Sequence, residues 1–154
     1  RLACAGLPKL SVDDREIRRQ GPSYMIDTLR DLKTEIPEAH LCLILGQDAF
    51  YHFDQWYQWE SILDYCHLII VNRPHSNINY RETIISLIFD RKIFEFKTVS
   101  ALPAGKIFLC EIPPLDISAT QLRKELSQNH FDENVISPLV FEYISEHKLY
   151  QRKI

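Results

Sequence analysis

The chain has 154 residues, of which 45% are hydrophobic and 25% charged, with a formal net charge of −3. That length suits one domain, and the composition is that of a globular protein. The charge balance argues against a nucleic-acid coat protein, and no apolar run reaches the roughly 18 residues of a membrane-spanning helix. No signal peptide is visible, although the chain begins at Arg1 rather than at Met. The four cysteines form no C-x-x-C pair. They are read as reduced thiols of a cytoplasmic protein, with Cys42 and Cys110 inside strand-like runs and expected in the core. The six histidines are scattered without metal-ligand spacing.

In chain order, Arg1 to Leu7 reads as the tail of a helix, closed by Pro8. Lys9 to Val12 is a candidate short strand, and the charged stretch Asp13 to Gln20 is expected on the surface. After Gly21-Pro22, Ser23 can cap a helix from about Tyr24 to Glu35, with Ile26, Leu29, Leu32 and Ile36 at helical spacing and Pro37 as its stop. Leu41 to Leu45 is a continuous apolar run, the signature of a parallel strand buried on both faces. An aromatic segment follows, then a short helix near Trp59 to Leu63 and a second buried strand from His67 to Val71. Tyr80 to Phe89 reads as a helix, and Phe94 to Val99 and Ile107 to Glu111 as strands. Two helices complete the chain, about Ser118 to Asn129 and Pro138 to His147. Strands alternating with helices make this an α/β domain with a mainly parallel sheet, and in such sheets ligands bind beyond the C-terminal strand ends.

Three motifs fall at that edge. Ser118 and Thr120 place hydroxyls at a helix start, with Arg123 about one turn further in, on a helix whose Leu122, Leu126 and Phe131 share a face. Unpaired N–H groups, the positive dipole end and a guanidinium suit phosphate, while the plain alternative is a Ser cap beside a solvated Arg. Gly46-Gln47-Asp48 puts a small residue and then a carboxylate after a buried strand, suiting a ribose, or equally a capped turn. Arg73 ends the next strand, either to meet phosphate or as an exposed charge. Elsewhere, Trp56 and Tyr57 offer flat faces for stacking, or simply core packing. The helix start at Ser23-Tyr24-Met25 presents free N–H groups that suit a carboxylate, or serves as an ordinary cap. The sequence contains no Walker loop, no Gly-x-Gly-x-x-Gly, and no Ser/His/Asp or Cys/His arrangement.

Taken in order, several elements resemble bacterial nicotinate-nucleotide adenylyltransferases. They are Pro22-Ser-Tyr-Met-Ile-Asp-Thr-Leu29, Leu43-Ile-Leu-Gly-Gln-Asp48, Trp56-Tyr57, Ile62-Leu-Asp64, His67-Leu-Ile-Ile-Val71, Arg73-Pro74, Pro103-Ala-Gly-Lys106, Ile117-Ser-Ala-Thr120 with Arg123, and Tyr143-Ile144 with Leu149-Tyr150. The resemblance spans essentially the whole chain. It implies a Rossmann-like nucleotidyltransferase fold and adenylyl transfer from ATP, with its Mg²⁺, to nicotinate mononucleotide, giving deamido-NAD and pyrophosphate. By the same resemblance, Ser118, Thr120 and Arg123 hold ATP phosphates, and Gly46 and Asp48 approach the ribose. Trp56 stacks on the nicotinate ring, amides at Met25 and Tyr57 take its carboxylate, and Arg73 supports the mononucleotide.

The sequence departs from the family in two ways. Met25 stands where the family usually has Thr, and the signature Gly-x-Phe-Asp-Pro-x-His-x-Gly-His is absent. The expectation is therefore the C-terminal part of a nucleotidyltransferase domain, spanning 1–154 as a single domain, without its first strands and without catalytic histidines. Such a fragment is expected to lack turnover and to leave Leu41 to Leu45 as an open apolar edge that Lys9 to Val12 does not pair. Two other readings stay open: a noncatalytic nucleotide-binding module of the same fold, and a transferase with another acceptor such as phosphopantetheine. No nucleic-acid or membrane partner is expected, and the sequence leaves the oligomeric state open.

Overall fold

The computed structural model describes residues 1–72, 79–113, 118–128, 132 and 135–150. By internal contacts the chain divides into two units, Arg15–Pro114 and a second made of Arg1–Asp14 with Leu115–Ile154.

The first unit holds a four-stranded sheet in the order β1-β2-β4-β3, with β1 Leu41–Gly46, β2 Cys66–Asn72, β3 Lys92–Ile93 and β4 Ile107–Glu111. All three pairings are parallel, with Leu43 opposite Leu68 and Ile69 opposite Phe108. The α/β reading with a parallel sheet is thus borne out. Its helices are α1 Arg15–Arg18, α2 Met25–Glu35, α3 Gln47–Tyr51, α4 Trp59–Tyr65 and α5 Glu82–Arg91. The core gathers Ile26 and Leu29 of α2, Phe50 and Phe53, Ile62 of α4, and Leu68 and Ile70 of β2. Side chains of this size each stabilise by about 1.5–3 kcal/mol when fully removed from water.

β1 corrects one expectation. Leu41, Leu43 and Leu45 join or pack against this core, but Cys42 is exposed and Ile44 is 65% exposed. Strand side chains alternate between faces, and the described residues leave uncovered the face of β1 that carries its even positions; β1 is also the edge of the sheet beside β2. The open edge itself was expected. Cys110 is likewise only partly covered, and Cys66 is the buried thiol, with burial raising its pKa to about 12.

Phe94 to Val99 is not a strand. Its period-two pattern leaves Phe94 and Phe96 exposed, and Phe96–Ala101 forms a 3₁₀ helix in which Thr98 N–H donates to the Glu95 carbonyl at 3.0 Å. The charged stretch 13–20 is mostly exposed, as expected, with Asp14, Arg15 and Arg19 partly covered. Arg15 pairs with Glu35 at 2.9 Å and Arg19 with Asp31 at 2.7 Å, and both arginine side chains are only 19% exposed. The outer face of α2 supplies the carboxylates that draw them in.

The second unit contains α6 Ala119–Ser127 and α7 Pro138–Glu146, with the 3₁₀ turn Leu2–Cys4 packed on α7. The expected helix tail at Arg1 to Leu7 is only that turn. Lys9 to Val12 is not a strand; Leu10 and Val12 are exposed, with Leu10 N–H turned back onto the Leu7 carbonyl at 3.0 Å. On α6, Leu126 is buried and Leu122 partly covered, as their spacing predicts, while Phe131 lies outside the described residues.

Candidate functional site

The site residues of the first unit fall in two neighbouring segments. At the C-terminal end of β1, Gly46 is extended (φ −67°, ψ 153°) and leads directly into α3. A Cβ built there would meet nothing within 4 Å, so the protein's own packing does not demand glycine, and the backbone is open to approach. Gln47 is 9% exposed, and the Tyr80 phenol hydrogen-bonds with its side chain. Burial raises the Tyr80 pKa against the lowering effect of that bond. Asp48 follows in the first turn of α3, exposed, on a helix start fixed by the buried neighbours Gln47 and Phe50.

The second segment brings Trp56 and Tyr57 to the start of α2. Phe53 is fully buried, and Trp56 leans on it with ring centroids 5.5 Å apart. Trp56 therefore combines a packed edge with a partly exposed ring. Tyr57 stacks on Tyr24 at 4.3 Å, with an interplanar angle of 29°. Gln58 then turns the chain into α4 with φ 50°, a left-handed conformation uncommon outside glycine and worth stabilising. Its side chain accepts from Arg30 Nη2 at 2.7 Å and donates to the Tyr57 hydroxyl at 3.1 Å. The segment is also tied from below. Arg81 Nη2 donates to the Tyr51 carbonyl at 3.0 Å and forms an ion pair with Asp54.

Between these residues lies a pocket of about 400 Å³ lined by Glu16, Ser23, Tyr24, Met25, Trp56 and Tyr57. Met25 is the first residue of α2 and Tyr24 its N-cap. The first N–H groups of any helix have no partner within it and carry its positive dipole end. The pocket thus offers aromatic walls for a flat ring and a helix start for a small anionic group. Sequence reasoning finds Met25, Trp56 and Tyr57 but not Glu16, which lies outside the motif that carries the others.

Ser118, Thr120 and Arg123 belong to the second unit. Ser118 caps α6, its hydroxyl accepting from Gln121 N–H at 3.5 Å. A shallow pocket of about 550 Å³ there is lined by Ser118, Thr120, Gln121, Lys124, Glu125 and Gln128. Arg123 is exposed and is not among these lining residues; Lys124 is the cation there, which the motif alone did not single out. Arg73 lies outside the described residues.

Residues 1–125 match the cytidylyltransferase-like family model, and the chain belongs to that family. Among curated proteins, it is 36% identical over 151 residues to the "Probable nicotinate-nucleotide adenylyltransferase" of Pseudoalteromonas atlantica, covering 98% of this chain and 69% of that one. It is 38% identical over 156 residues to the protein of the same name from Pectobacterium atrosepticum, covering 97% and 71%. These relatives place it within the nicotinate-nucleotide adenylyltransferases, the nucleotidyltransferases of NAD biosynthesis. Among solved structures, it resembles the Plasmodium falciparum nicotinic acid mononucleotide adenylyltransferase complexed with NaAD (TM-score 0.55, 25% identity), over 85% of this chain and 58% of that one. The fold is also that of the same enzyme complexed with APC, at 24% identity and TM-score 0.55. The chain spans about 60% of that solved protein. No helix among the described residues is long and apolar enough to cross a membrane.

Proposed function

We propose that this chain takes part in adenylyl transfer from MgATP to nicotinate mononucleotide, and that residues 1–154 belong to a single nucleotidyltransferase domain. The observation that carries the reading is the pocket at Met25, Trp56 and Tyr57 in a chain of this family. Trp56 stacks on the nicotinate ring, and the Met25 and Tyr57 amides receive its carboxylate. That contact needs no side-chain hydroxyl, so Met25 serves where the resemblance leads one to expect Thr. Asp48 accepts from ribose hydroxyls, and Gly46 leaves the backbone open to the ligand. Ser118, Thr120 and Arg123 hold ATP phosphates, and Arg73 supports the mononucleotide.

The mononucleotide phosphate oxygen attacks the α-phosphorus of ATP in line. A new P–O bond forms, the α–β bridging bond breaks, and pyrophosphate departs. Positioning the two substrates and neutralising phosphate charge account for most of such a rate enhancement. Mg²⁺ enters bound to ATP. The substrates are small molecules, and the reaction belongs in the cytoplasm, with no nucleic-acid partner.

Residues 1–154 contain no Gly-x-Phe-Asp-Pro-x-His-x-Gly-His segment. By themselves they are expected to bind mononucleotide without measurable turnover. Calorimetric titration of the chain with nicotinate mononucleotide tests the acceptor, and pyrophosphate release after that segment is added upstream tests the reaction. Stronger binding of the amide mononucleotide or of phosphopantetheine would reject the acceptor. Binding with no pyrophosphate release in the extended protein would favour a noncatalytic nucleotide-binding module.

A further inference from the structure

We propose that Glu16 sets the acid-versus-amide selectivity of the Trp56–Tyr57 pocket, weakening its preference for a ring carboxylate. The inference rests on the acceptor reading above and concerns a residue that the reading does not use.

Among the described residues lining this pocket Glu16 is the only charged one, and its charge has the same sign as the substituent the pocket is proposed to receive. Its carboxylate is held in place, since the Thr28 hydroxyl on α2 donates to Glu16 Oε1 at 2.7 Å. The same Thr28 hydroxyl oxygen accepts from Arg19 Nη1 at 3.2 Å. Arg19 Nη2 pairs with Asp31 at 2.7 Å, so its charge is shared with a second carboxylate. Asp27 also lies in the first turn of α2, paired with Arg30 at 3.4 Å.

Two effects of opposite sign therefore meet at the ring substituent. The start of α2 presents partial positive charge, about half an elementary charge for a whole helix. Glu16 presents a full negative charge on the pocket wall. A carboxylate gains from the first and loses to the second. An amide loses little to the second, and its N–H can donate to a carboxylate, which has acceptor capacity beyond the single bond from Thr28. Both mononucleotides carry the same phosphate and ribose, so contacts with those groups cancel in their affinity ratio, and the protein's other charges cancel when that ratio is compared between wild type and variant.

The test compares equilibrium binding of nicotinate mononucleotide and nicotinamide mononucleotide to the wild-type chain and to Glu16→Gln, at low and high ionic strength. Glu16→Gln keeps size and an acceptor for Thr28 while removing the charge. The acid-to-amide affinity ratio is expected to rise about twofold to fivefold in the variant at low salt, the scale of an exposed charge interaction. That gap should shrink at high salt, because it is Coulombic. General damage to the pocket would lower both affinities together and leave the ratio unmoved. A ratio that stays constant or falls in Glu16→Gln, or a gap indifferent to salt, overturns the role of Glu16 while leaving the acceptor assignment intact. A folded wild-type chain that binds neither mononucleotide overturns both.

Discussion

The two candidate binding regions are built in opposite ways. The Trp56–Tyr57 pocket rests mainly on contacts that are distant in sequence: Arg81 on Asp54, Arg30 on Gln58, and Tyr24 stacked on Tyr57, with Trp56 also leaning on its near neighbour Phe53 in the core. The α6 start rests on contacts within a few residues, above all the Ser118 hydroxyl on Gln121 N–H. A ring site needs fixed walls at both faces, which only tertiary structure can hold. A phosphate site needs N–H groups and hydroxyls at one helix end, which local structure already supplies. Variants in the first region should therefore disturb stability and binding together, and variants in the second should disturb binding with little loss of stability.

The largest effect is expected from Arg81→Ala. Asp54 is only 11% exposed, and removal of its partner leaves a mostly buried carboxylate without its ion pair. Unfolding free energy from urea titration should fall by about 2–4 kcal/mol, and mononucleotide affinity should fall with it. An unchanged midpoint would mean that the segment does not depend on this anchor. Trp56→Ala comes next. It removes the stacking wall, and mononucleotide affinity should drop about tenfold or more, with a stability loss of about 1–3 kcal/mol because the ring is only partly packed. Full binding after that change would take the ring out of this pocket.

The legibility of the chain follows the same division. The start of α6 was readable because a cap, hydroxyls and an Arg lie within a few residues of one another. The helices α2, α4, α5 and α7 and the strands β1, β2 and β4 were readable because period and breakers are local signals. What was lost depends on neighbours. Whether Ile44 is covered is decided by what packs on that face of β1, which its sequence cannot report. Phe94-Glu-Phe-Lys has a strand's alternation, yet Phe94 stays exposed and Phe96 is only half covered against Phe108, and the segment closes into tight turns. The short helix α3 was missed because only Gln47 and Phe50 among its five residues are buried, too few for a period. Glu16 was missed because a single carboxylate has no pattern; the fold brings it to the pocket wall, where its hydrogen bond to Thr28 holds it.

Ser118→Ala probes the local region. The cap bond is long at 3.5 Å, so the stability loss should be at the low end for an N-cap, about 0.5 kcal/mol. ATP affinity should fall severalfold in the same protein. Stability loss without any change in ATP affinity would reduce Ser118 to a cap.

The smallest expected effect is a pH dependence confined to the first unit. His67 is fully buried at the N-terminal end of β2, away from the strand ends that carry Gly46 and Asn72. Its Nδ1 accepts from Lys106 N–H at 3.2 Å, so Nε2 carries the proton and donates to the Leu102 carbonyl at 2.9 Å. Burial is the main cause that lowers its pKa; the Leu102 bond opposes this, and His40, Lys106 and Lys33 add to the lowering. The folded state therefore binds the proton less readily than the unfolded chain. Stability contributed by neutral His67 is whole above the ordinary histidine pKa of about 6.5 and declines as pH falls from there towards the depressed value, below which no more is lost. Protonation would also set an N–H against Lys106 N–H and loosen the 102–106 connection to β4. Urea midpoints should therefore fall from pH 7.5 to pH 5.5 in the wild type, and the fall should be smaller in His67→Asn. An equal fall in both would assign the effect to other groups and leave the scaffold of the pocket indifferent to this histidine.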